Sequence, residues 1–299
     1  MRPILFHIPL VGVPIYSYGL MLAAGALVGL QASVRLARRR NLDEQLIIDA
    51  TMVAVLSGIV GARMFFVLQF YEQIFARPER SFIDIFKVWQ GGLVFYGGAI
   101  FATAAVYGFT RLKKMTGEQT WDMADCAAVG VILGLGFGRI GCTLNGCCFG
   151  RVTDSWIGVV FPKGVAPHFS PVFAHQLGKG LIERSAAAPL PVIPTQPISS
   201  LHAFALFAVL YFVISRRAEM KGSVAHWAIM LYPVGRFLIE FLRDDNVHIW
   251  GGAVGPFTVS QAVSIVVFAL AVPFYVVRLR RWRAASAGDA NQKGKKDTG

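Results

Sequence analysis

The chain has 299 residues, of which 55% are hydrophobic and 15% are charged. Soluble domains usually carry about 25% charged residues, so this composition favours an integral membrane protein over a soluble one. The formal net charge of +12 would suit nucleic-acid binding. However, the basic residues lie at the ends of hydrophobic blocks rather than in one patch, and we expect no nucleic-acid partner.

Several hydrophobic blocks are long enough to cross a bilayer, which needs about 20 apolar residues per helix. In chain order they span approximately residues 15–37, 47–70, 91–110, 123–141, 199–215, 223–242 and 255–277. The sequence therefore predicts an all-α integral membrane protein, in which residues 1–280 form a membrane domain of about seven transmembrane helices.

The distribution of basic residues predicts how these helices are oriented. The side reached after the first, third, fifth and seventh blocks holds 17 of the 29 basic residues, and the opposite side holds nine. Basic residues are retained in the cytoplasm during insertion, so we expect a multi-pass protein of the bacterial inner membrane with its N-terminus outside and its C-terminus inside. We expect residues 281–299 to form a basic, disordered cytoplasmic tail.

The longest connection, at about 142–198, lies outside by this topology. A connection of this length is usually functional or disordered. It contains alternating stretches such as the one at 156–161, and its aromatic and β-branched residues favour folded structure. The sequence therefore predicts a small extracytoplasmic cap.

Three arginines lie inside or at the edge of predicted spans: Arg63, Arg139 and Arg236. An arginine at mid-bilayer costs about 2.5–3.5 kcal/mol on insertion scales, so it usually faces a polar cavity or a partner. One interpretation is simple pairing with a buried acid, as between Arg236 and Glu240 one turn later. Arg139 has no acid within a turn and is surrounded by glycines. An unpaired guanidinium in that setting suits a phosphate, which predicts a phospholipid headgroup as ligand.

The same stretch, at residues 136–141, matches the GxGxxG pattern of dinucleotide-binding proteins. That pattern has meaning only after a strand and before a helix. Here it ends a hydrophobic span, so we reject the dinucleotide interpretation. Helix packing through the small residues Gly130, Gly134 and Gly138 is the alternative.

Residues 138–150, which read GRIGCTLNGCCFG, resemble the signature G-R-x-G-N-F-x-N-x-E-x-x-G of bacterial prolipoprotein diacylglyceryl transferases. Further blocks resemble the same family in the same order. They are Tyr-Gly-Leu-Met at 18–21, the Gly-Gly pairs at 91–92 and 97–98, Pro-Thr-Gln at 194–196, and the Y-x3-R-x3-E-x2-R pattern at 232–243.

This resemblance implies that the diacylglyceryl group of phosphatidylglycerol is transferred to the lipobox cysteine thiol of a preprolipoprotein, with glycerol phosphate leaving. The implied partners are phosphatidylglycerol, the preprolipoprotein signal peptide and membrane lipids, and no cofactor is implied. Fixed cations would stabilise the phosphate as it leaves. The implied catalytic residues are Arg139, Arg236 and Tyr96. The implied substrate-binding residues are Arg139, Asn145, Tyr18, Tyr232, Gly97, Gly98, Gly150 and Glu240.

The chain departs from the family pattern at several positions. Tyr96 replaces the usual histidine, Cys142 and Cys147 replace asparagine and glutamate, and Ser199 replaces a glutamate. A tyrosine hydroxyl in water has a pKa of about 10 and is a poor general base at neutral pH. Either a base is dispensable because the arginines favour the thiolate, or this branch is a divergent phospholipid-dependent transferase with another acceptor.

Cys142, Cys147 and Cys148 fall near the predicted outer face, where thiols oxidise readily, so a disulfide is one interpretation. Packing as small buried side chains is another, and a nucleophilic role is a third. The C-x4-C-C spacing is not a zinc pattern, and we expect no metal.

The intramembrane charges alone would also suit a non-enzymatic transporter or lipid-binding membrane protein. A transporter usually shows repeat symmetry and broken helices in paired positions. The sequence shows neither, which favours the transferase.

Overall fold

A computed structural model of the chain describes residues 4–7, 14–71, 85–86, 92–165, 168–218, 220–244 and 257–296. These residues are mainly helical, with two short antiparallel pairs of strands. By its internal contacts the chain divides into two compact units. The first unit comprises Met1–Ala32 and Ala128–Gly299, and the second comprises Ser33–Ala127.

The described helices are α1 Ser17–Arg39, α2 Glu44–Gln69, α3 Phe95–Leu112, α4 Gly117–Asn145, α5 Pro171–Gly178, α6 Thr195–Ala208, α7 Ser223–Glu240 and α8 Val259–Lys296. Helix α6 continues through a π-helical turn, Val209–Ile214, into a last turn at Ser215–Arg217. Strand β1, Ile4–His7, pairs with β2, Pro14–Tyr16, and β3, Gly164–Val165, pairs with β4, His168–Phe169.

Five of the described helices are long and apolar enough to cross a membrane: Ser17–Arg39, Glu44–Gln69, Gly117–Asn145, Thr195–Arg217 and Val259–Gly288. They coincide with five of the predicted blocks, so the helical class is confirmed and is compatible with a membrane protein. The blocks at 91–110 and 223–242 also contain helices, α3 and α7, of 18 residues each. That these two also cross the membrane stays a prediction.

Local sequence signals explain where several helices begin. The side chain of Asp43 accepts a hydrogen bond from the Gln45 amide at 2.9 Å, which caps the start of α2. Glu44 adds a negative charge in the first turn, where the helix dipole favours it. Ser170 caps α5 in the same way, and Pro171 occupies the first helical position, where its missing N–H costs nothing.

In the second unit, α2 and α3 pack through glycines. A Cβ atom on Gly61 would lie 2.6 Å from the carbonyl oxygen of Gly97, and one on Gly97 would lie 2.5 Å from that of Gly61. A Cβ atom on Gly98 would lie 3.1 Å from the carbonyl oxygen of Gly58. The two backbones can approach this closely only because these positions lack side chains.

Two arginines of the second unit have partners within it. Arg63 donates to the carbonyl oxygens of Ile85, at 2.7 Å, and Gly92, at 3.2 Å. Arg40 contacts the carboxylates of Asp122, at 2.9 Å, and Asp125, at 2.5 Å. Arg63 therefore has the structural role of holding the connection before α3, and we assign it no part in a reaction.

In the first unit, α1 and α4 also pack through glycines. A Cβ atom on Gly29 would lie 2.5 Å from the carbonyl oxygen of Gly130, and one on Gly25 would lie 3.1 Å from that of Gly134. The packing alternative for the glycine-rich stretch is therefore confirmed for Gly130 and Gly134. The GxGxxG residues lie inside α4, with no strand directly before them, which agrees with rejecting a dinucleotide site.

The segment between α4 and α6 is folded around a small core of its own. Phe149, Phe161, Val172 and Val192 are buried together there. Val192 forms isolated β-bridges with Val152 and Val159. The segment has the folded character predicted for the cap, while its position outside the membrane stays a prediction.

Helix α8 continues to Lys296 and therefore includes residues 281–296, which the sequence analysis assigned to a disordered tail. Alanine, arginine, lysine and glutamine are strong helix formers and make up much of this stretch. Composition alone predicted disorder because the stretch is polar and basic, but helix propensity favours extension of α8.

Candidate active site

Two helices of the first unit bring the predicted arginines to one cavity. Arg139 lies on α4, and Arg236 lies on α7. They line a small cavity, together with side chains from α6 and α7. The other lining residues are Leu135, Ser199, His202, Ala203, Tyr232 and Ile239.

Arg236 is paired with the acid that its sequence spacing suggested. Its Nη1 atom contacts Oε2 of Glu240, a residue that is only 3% exposed. Nη2 of Arg236 donates to Ser260 Oγ at 2.9 Å. Glu240 also accepts a hydrogen bond from Thr258 Oγ1 at 2.9 Å and lies 3.6 Å from Nε of Arg243. The pairing interpretation is therefore confirmed for Arg236.

Arg139 differs from Arg236 in having no ion pair with an acid among the described residues. Its guanidinium lies beside the hydroxyl of Tyr232 and within electrostatic range of Arg236. Like charges repel strongly where water is scarce, so two neighbouring guanidinium groups favour an anion between them. The one carboxylate at Arg236 is shared with Arg243, which leaves the charge of Arg139 available for a ligand.

Tyr18 and Asn145 lie close to the cysteine cluster at the end of α4. The Tyr18 ring packs on Gly141, where a Cβ atom would be 2.9 Å from Cδ2 of the ring. Tyr18 lies within electrostatic range of Arg139 and of the three cysteines. Asn145, the last residue of α4, lies within hydrogen-bonding range of Cys147. The structure therefore brings both predicted residues to the cysteine cluster, while neither is among the residues that line the cavity.

The Sγ atoms of Cys142, Cys147 and Cys148 all lie within 4.8 Å of one another. All three are free thiols in this structure, so the disulfide interpretation does not describe it. Hydrogen bonds from the Cys142 and Cys147 thiols lower the pKa of the Cys148 thiol well below its ordinary value. Burial opposes this effect, and the guanidinium groups of Arg243 and Arg139 reinforce it.

Comparison with known proteins decides the family. A sequence model described as prolipoprotein diacylglyceryl transferase matches residues 3–277. The chain belongs to the prolipoprotein diacylglyceryl transferase family. A relative from Clostridium perfringens, named phosphatidylglycerol–prolipoprotein diacylglyceryl transferase 2, is 31% identical over 96% of each chain. One from Clostridium tetani is 32% identical over 95% of this chain and 99% of its own. Membership of a family of transferases favours an enzyme over the non-enzymatic alternative.

Gly150, the last glycine of the signature, is required by close backbone packing in this chain. A Cβ atom on Gly150 would lie 2.6 Å from the carbonyl oxygen of Ile193 and 2.7 Å from that of Leu242. Gly150 also donates its N–H to Ile193 O at 3.0 Å. Gly150 therefore packs between the segment before α6 and the residues that follow α7, where the Arg151 amide donates to Leu242 O at 2.9 Å. Direct contact of Gly150 with substrate stays a prediction.

Tyr96, which replaces the family's histidine, lies in the second unit with Gly97 and Gly98. Tyr96 is in the first turn of α3, is 42% exposed and packs edge-on against Phe95 with ring centroids 6.0 Å apart. Gly97 and Gly98 face α2, as described above. The structure thus gives the glycines a packing role, and the catalytic role of Tyr96 stays a prediction from the family pattern.

Sequence reasoning missed His202, which lines the cavity with both arginines. Its ring packs against Tyr232 with centroids 5.9 Å apart, and its Nε2 atom would lie 2.0 Å from a Cβ on Gly235. An ionisable side chain within a membrane span is by itself a signal of function, and that signal was available in the sequence.

Proposed function

We propose that this protein transfers the diacylglyceryl group of phosphatidylglycerol to the lipobox cysteine of preprolipoproteins, in the inner membrane of a bacterium. The observation that carries the proposal is the cavity lined by Arg139 and Arg236 in a chain of this family. The N-terminus lies outside and the C-terminus in the cytoplasm, as the distribution of basic residues indicates. This orientation puts the C-terminal end of α4, which carries Arg139, toward the face where preprolipoproteins emerge.

Arg139 and Arg236 bind the phosphate of the lipid in this proposal. Arg139 has no competing acid among the described residues, so its planar guanidinium is available for two parallel hydrogen bonds to phosphate oxygens. Arg236 is held by Glu240 and Ser260, which fixes its orientation before the lipid arrives. Donors fixed in advance stabilise developing charge without reorganising during the reaction.

A second, apolar groove supports binding of the acyl chains. It lies between α4 and α6. Its lining residues are Ile140, Thr143, Leu144, Pro197, Ser200, Leu201 and Phe204. The arginine cavity is bordered by the same two helices, α4 and α6, so the proposal places the phosphate in the cavity and the hydrocarbon in this groove.

The reaction exchanges one bond at a glycerol carbon. The acceptor sulfur forms a C–S bond to that carbon while the C–O bond to phosphate breaks, and the electron pair of that bond goes to the leaving phosphate oxygen. The thiol proton must be removed, because the thiolate is the nucleophile. Family resemblance suggests Tyr96 for this step, and position in the cavity suggests His202, whose imidazole is a better base near neutral pH.

The experiment is a transfer assay with purified protein in nanodiscs that contain phosphatidylglycerol, with a lipobox peptide as acceptor. We expect Arg139→Ala to lose transfer, while Arg151→Ala, which removes an exposed arginine at the end of the signature, retains it. A folded wild-type protein that transfers no lipid to the peptide would refute the proposed function.

A divergent acceptor is the second candidate, and the cysteines in place of asparagine and glutamate favour it. The same nanodiscs, supplied with a small thiol or a peptide without a lipobox, distinguish the two candidates. Preference for the lipobox peptide supports the first candidate, and equal or better transfer to the other acceptors supports the second.

A further inference from the structure

The cysteine cluster has the geometry of a metal site, although its sequence spacing does not follow a zinc pattern. Zinc–sulfur bonds are about 2.3 Å long, so thiolates around a tetrahedral zinc ion lie about 3.8 Å apart. The Sγ atoms of Cys142, Cys147 and Cys148 already lie within 4.8 Å of one another. Small side-chain rotations are therefore enough to bring all three sulfurs to bonding distance of one ion.

The backbone that carries these thiols is held from one side by α4. The amides of Gly146 and Cys147 both donate to the carbonyl oxygen of Cys142, at 2.9 and 3.2 Å. Cys148 has φ of +60°, in the left-handed region that residues other than glycine seldom adopt. The chain thus reverses tightly after α4, which turns the two later thiols back toward the first.

From the other side, the start of α6 holds the same loop. Thr195 Oγ1 donates to the carbonyl oxygen of Cys148 at 2.7 Å, and Gln196 Nε2 donates to that of Cys147 at 2.9 Å. Both of these α6 side chains are only 1% exposed. Buried hydrogen bonds of this kind fix the orientation of ligands before a metal binds.

We propose that Cys142, Cys147 and Cys148 bind a zinc ion as thiolates and leave its fourth position for the acceptor cysteine. Structural zinc sites usually have four protein ligands, whereas catalytic sites have three and keep one position open. The cluster contains three candidate ligands in the part of the chain that the structure describes. Softness also favours zinc over magnesium or calcium, because thiolates prefer soft ions.

Charge supports the assignment. Three thiolates and one zinc ion carry a net charge of −1, which becomes −2 when an acceptor thiolate is added. Arg139 and Arg243 lie within electrostatic range of Cys148 and offset this negative charge. The metal would therefore lie beside the arginine that we assign to the lipid phosphate.

The role of the open position rests on the proposed function. The acceptor thiol loses its proton, to the base named above or to water, as its sulfur binds zinc, because metal ligands bind deprotonated. That sulfur then forms the C–S bond, the C–O bond to phosphate breaks, and glycerol phosphate leaves with the electron pair. The thioether product carries no negative charge and binds zinc weakly, so it dissociates. A metal that holds the thiolate explains how a chain with Tyr96 in place of histidine can activate its acceptor.

The first experiment measures metal on the full-length protein, purified in detergent under reducing conditions and then incubated with zinc and desalted. We expect about one zinc per chain. Each of Cys142→Ser, Cys147→Ser and Cys148→Ser should lower zinc retention at least tenfold. Cys126→Ser is the matched control, because Cys126 is a buried thiol outside the cluster, and it should retain zinc like the wild type.

Cobalt substitution supplies a second measurement that does not depend on activity. Three thiolate ligands give strong sulfur-to-cobalt absorption, and a cysteine lipobox peptide, but not its serine counterpart, should change that spectrum. Only variants that elute as the wild type does on size exclusion are compared. Wild-type protein that retains no zinc, a disulfide within the cluster of the isolated protein, or unchanged zinc retention in the triple serine variant would each overturn the metal site.

Failure of the metal site and failure of the proposed function give different results. Protein that transfers lipid at an unchanged rate after its zinc has been removed overturns the metal's role and leaves the proposed function in place. Protein that binds zinc and responds to the cysteine peptide, but transfers no lipid, supports the site and overturns the proposed function.

Discussion

Replacement of Arg139 should separate its role from that of Arg236, because the two side chains differ in their partners. Arg139 makes no ion pair with an acid of the described residues, whereas Arg236 contacts Glu240 and donates to Ser260 at 2.9 Å. Arg139→Ala therefore removes a charge available for the ligand and breaks no pair. Arg236→Ala also takes one partner from a buried carboxylate.

The magnitudes follow from these contacts. A hydrogen bond to a charged group contributes about 1.5–3 kcal/mol, and losing that much transition-state stabilisation slows turnover roughly 10- to 150-fold. We expect that loss for Arg139→Lys, which keeps the charge but lacks the planar fork, and a larger loss for Arg139→Ala. Stability should fall by about 1 kcal/mol in Arg139→Ala, because the hydrogen bond to Tyr232 is lost but no ion pair with an acid is broken.

Arg236→Ala should lower stability as well as turnover. Breaking a buried ion pair costs about 3–5 kcal/mol when the remaining charge has no other partner. Glu240 keeps Arg243 and the hydroxyl of Thr258, so the cost should lie below that range. Arg236→Ala with Glu240→Gln should recover none of the turnover, because the second change restores no phosphate contact.

The measurements are kcat and KM for phosphatidylglycerol in nanodiscs, with thermal unfolding of each variant in the same lipid. Near-normal turnover of both Arg139→Ala and Arg236→Ala would refute the phosphate-binding role. If Arg236→Ala alone stayed active, its ion pair with Glu240 would be a sufficient account of that residue.

Three further predictions concern other parts of the chain. His202→Gln should lower kcat and flatten the rise of kcat with pH, whereas unchanged kcat at every pH would exclude His202 as the base. Asp244 is partly buried, which raises its pKa, but hydrogen bonds from Lys179 and His175 outweigh burial and lower it. Its stabilising effect should therefore be present at neutral pH and disappear as pH falls below about 4, so Asp244→Asn should lower the melting temperature at pH 7 but not at acid pH. An equal loss at both pH values would contradict this reasoning. A reporter that is active only in the periplasm should be silent when fused at Gly288, and strong activity there would reverse the topology.

Periodicity predicted the parts of the site that lie on one helix. Tyr232, Arg236 and Glu240 are four residues apart, so a helix must place them on one face, and the structure pairs Arg236 with Glu240 as that spacing suggests. The glycines of α4 likewise indicated close helix packing, which the contact between Gly29 and Gly130 confirms.

Contacts between distant segments could not be predicted in this way. The hydrogen bond from Thr195 Oγ1 to the carbonyl oxygen of Cys148 joins residues that are 47 positions apart. The sequence does not predict the left-handed backbone conformation of Cys148, because cysteine rarely adopts it. The clustering of the three thiols depends on both features. The C-x4-C-C spacing in the sequence therefore argued against a metal site, whereas the folded loop brings the three sulfurs together.

The available charge of Arg139 also affects the end of the proposed reaction. Cleavage turns a phosphodiester with one negative charge into glycerol phosphate, which carries close to two at neutral pH. The same guanidinium groups that stabilise bond breaking therefore hold the product more tightly than the lipid. Departure of glycerol phosphate into water, rather than chemistry, would then limit the turnover rate, and added glycerol phosphate would compete with the lipid for the cavity.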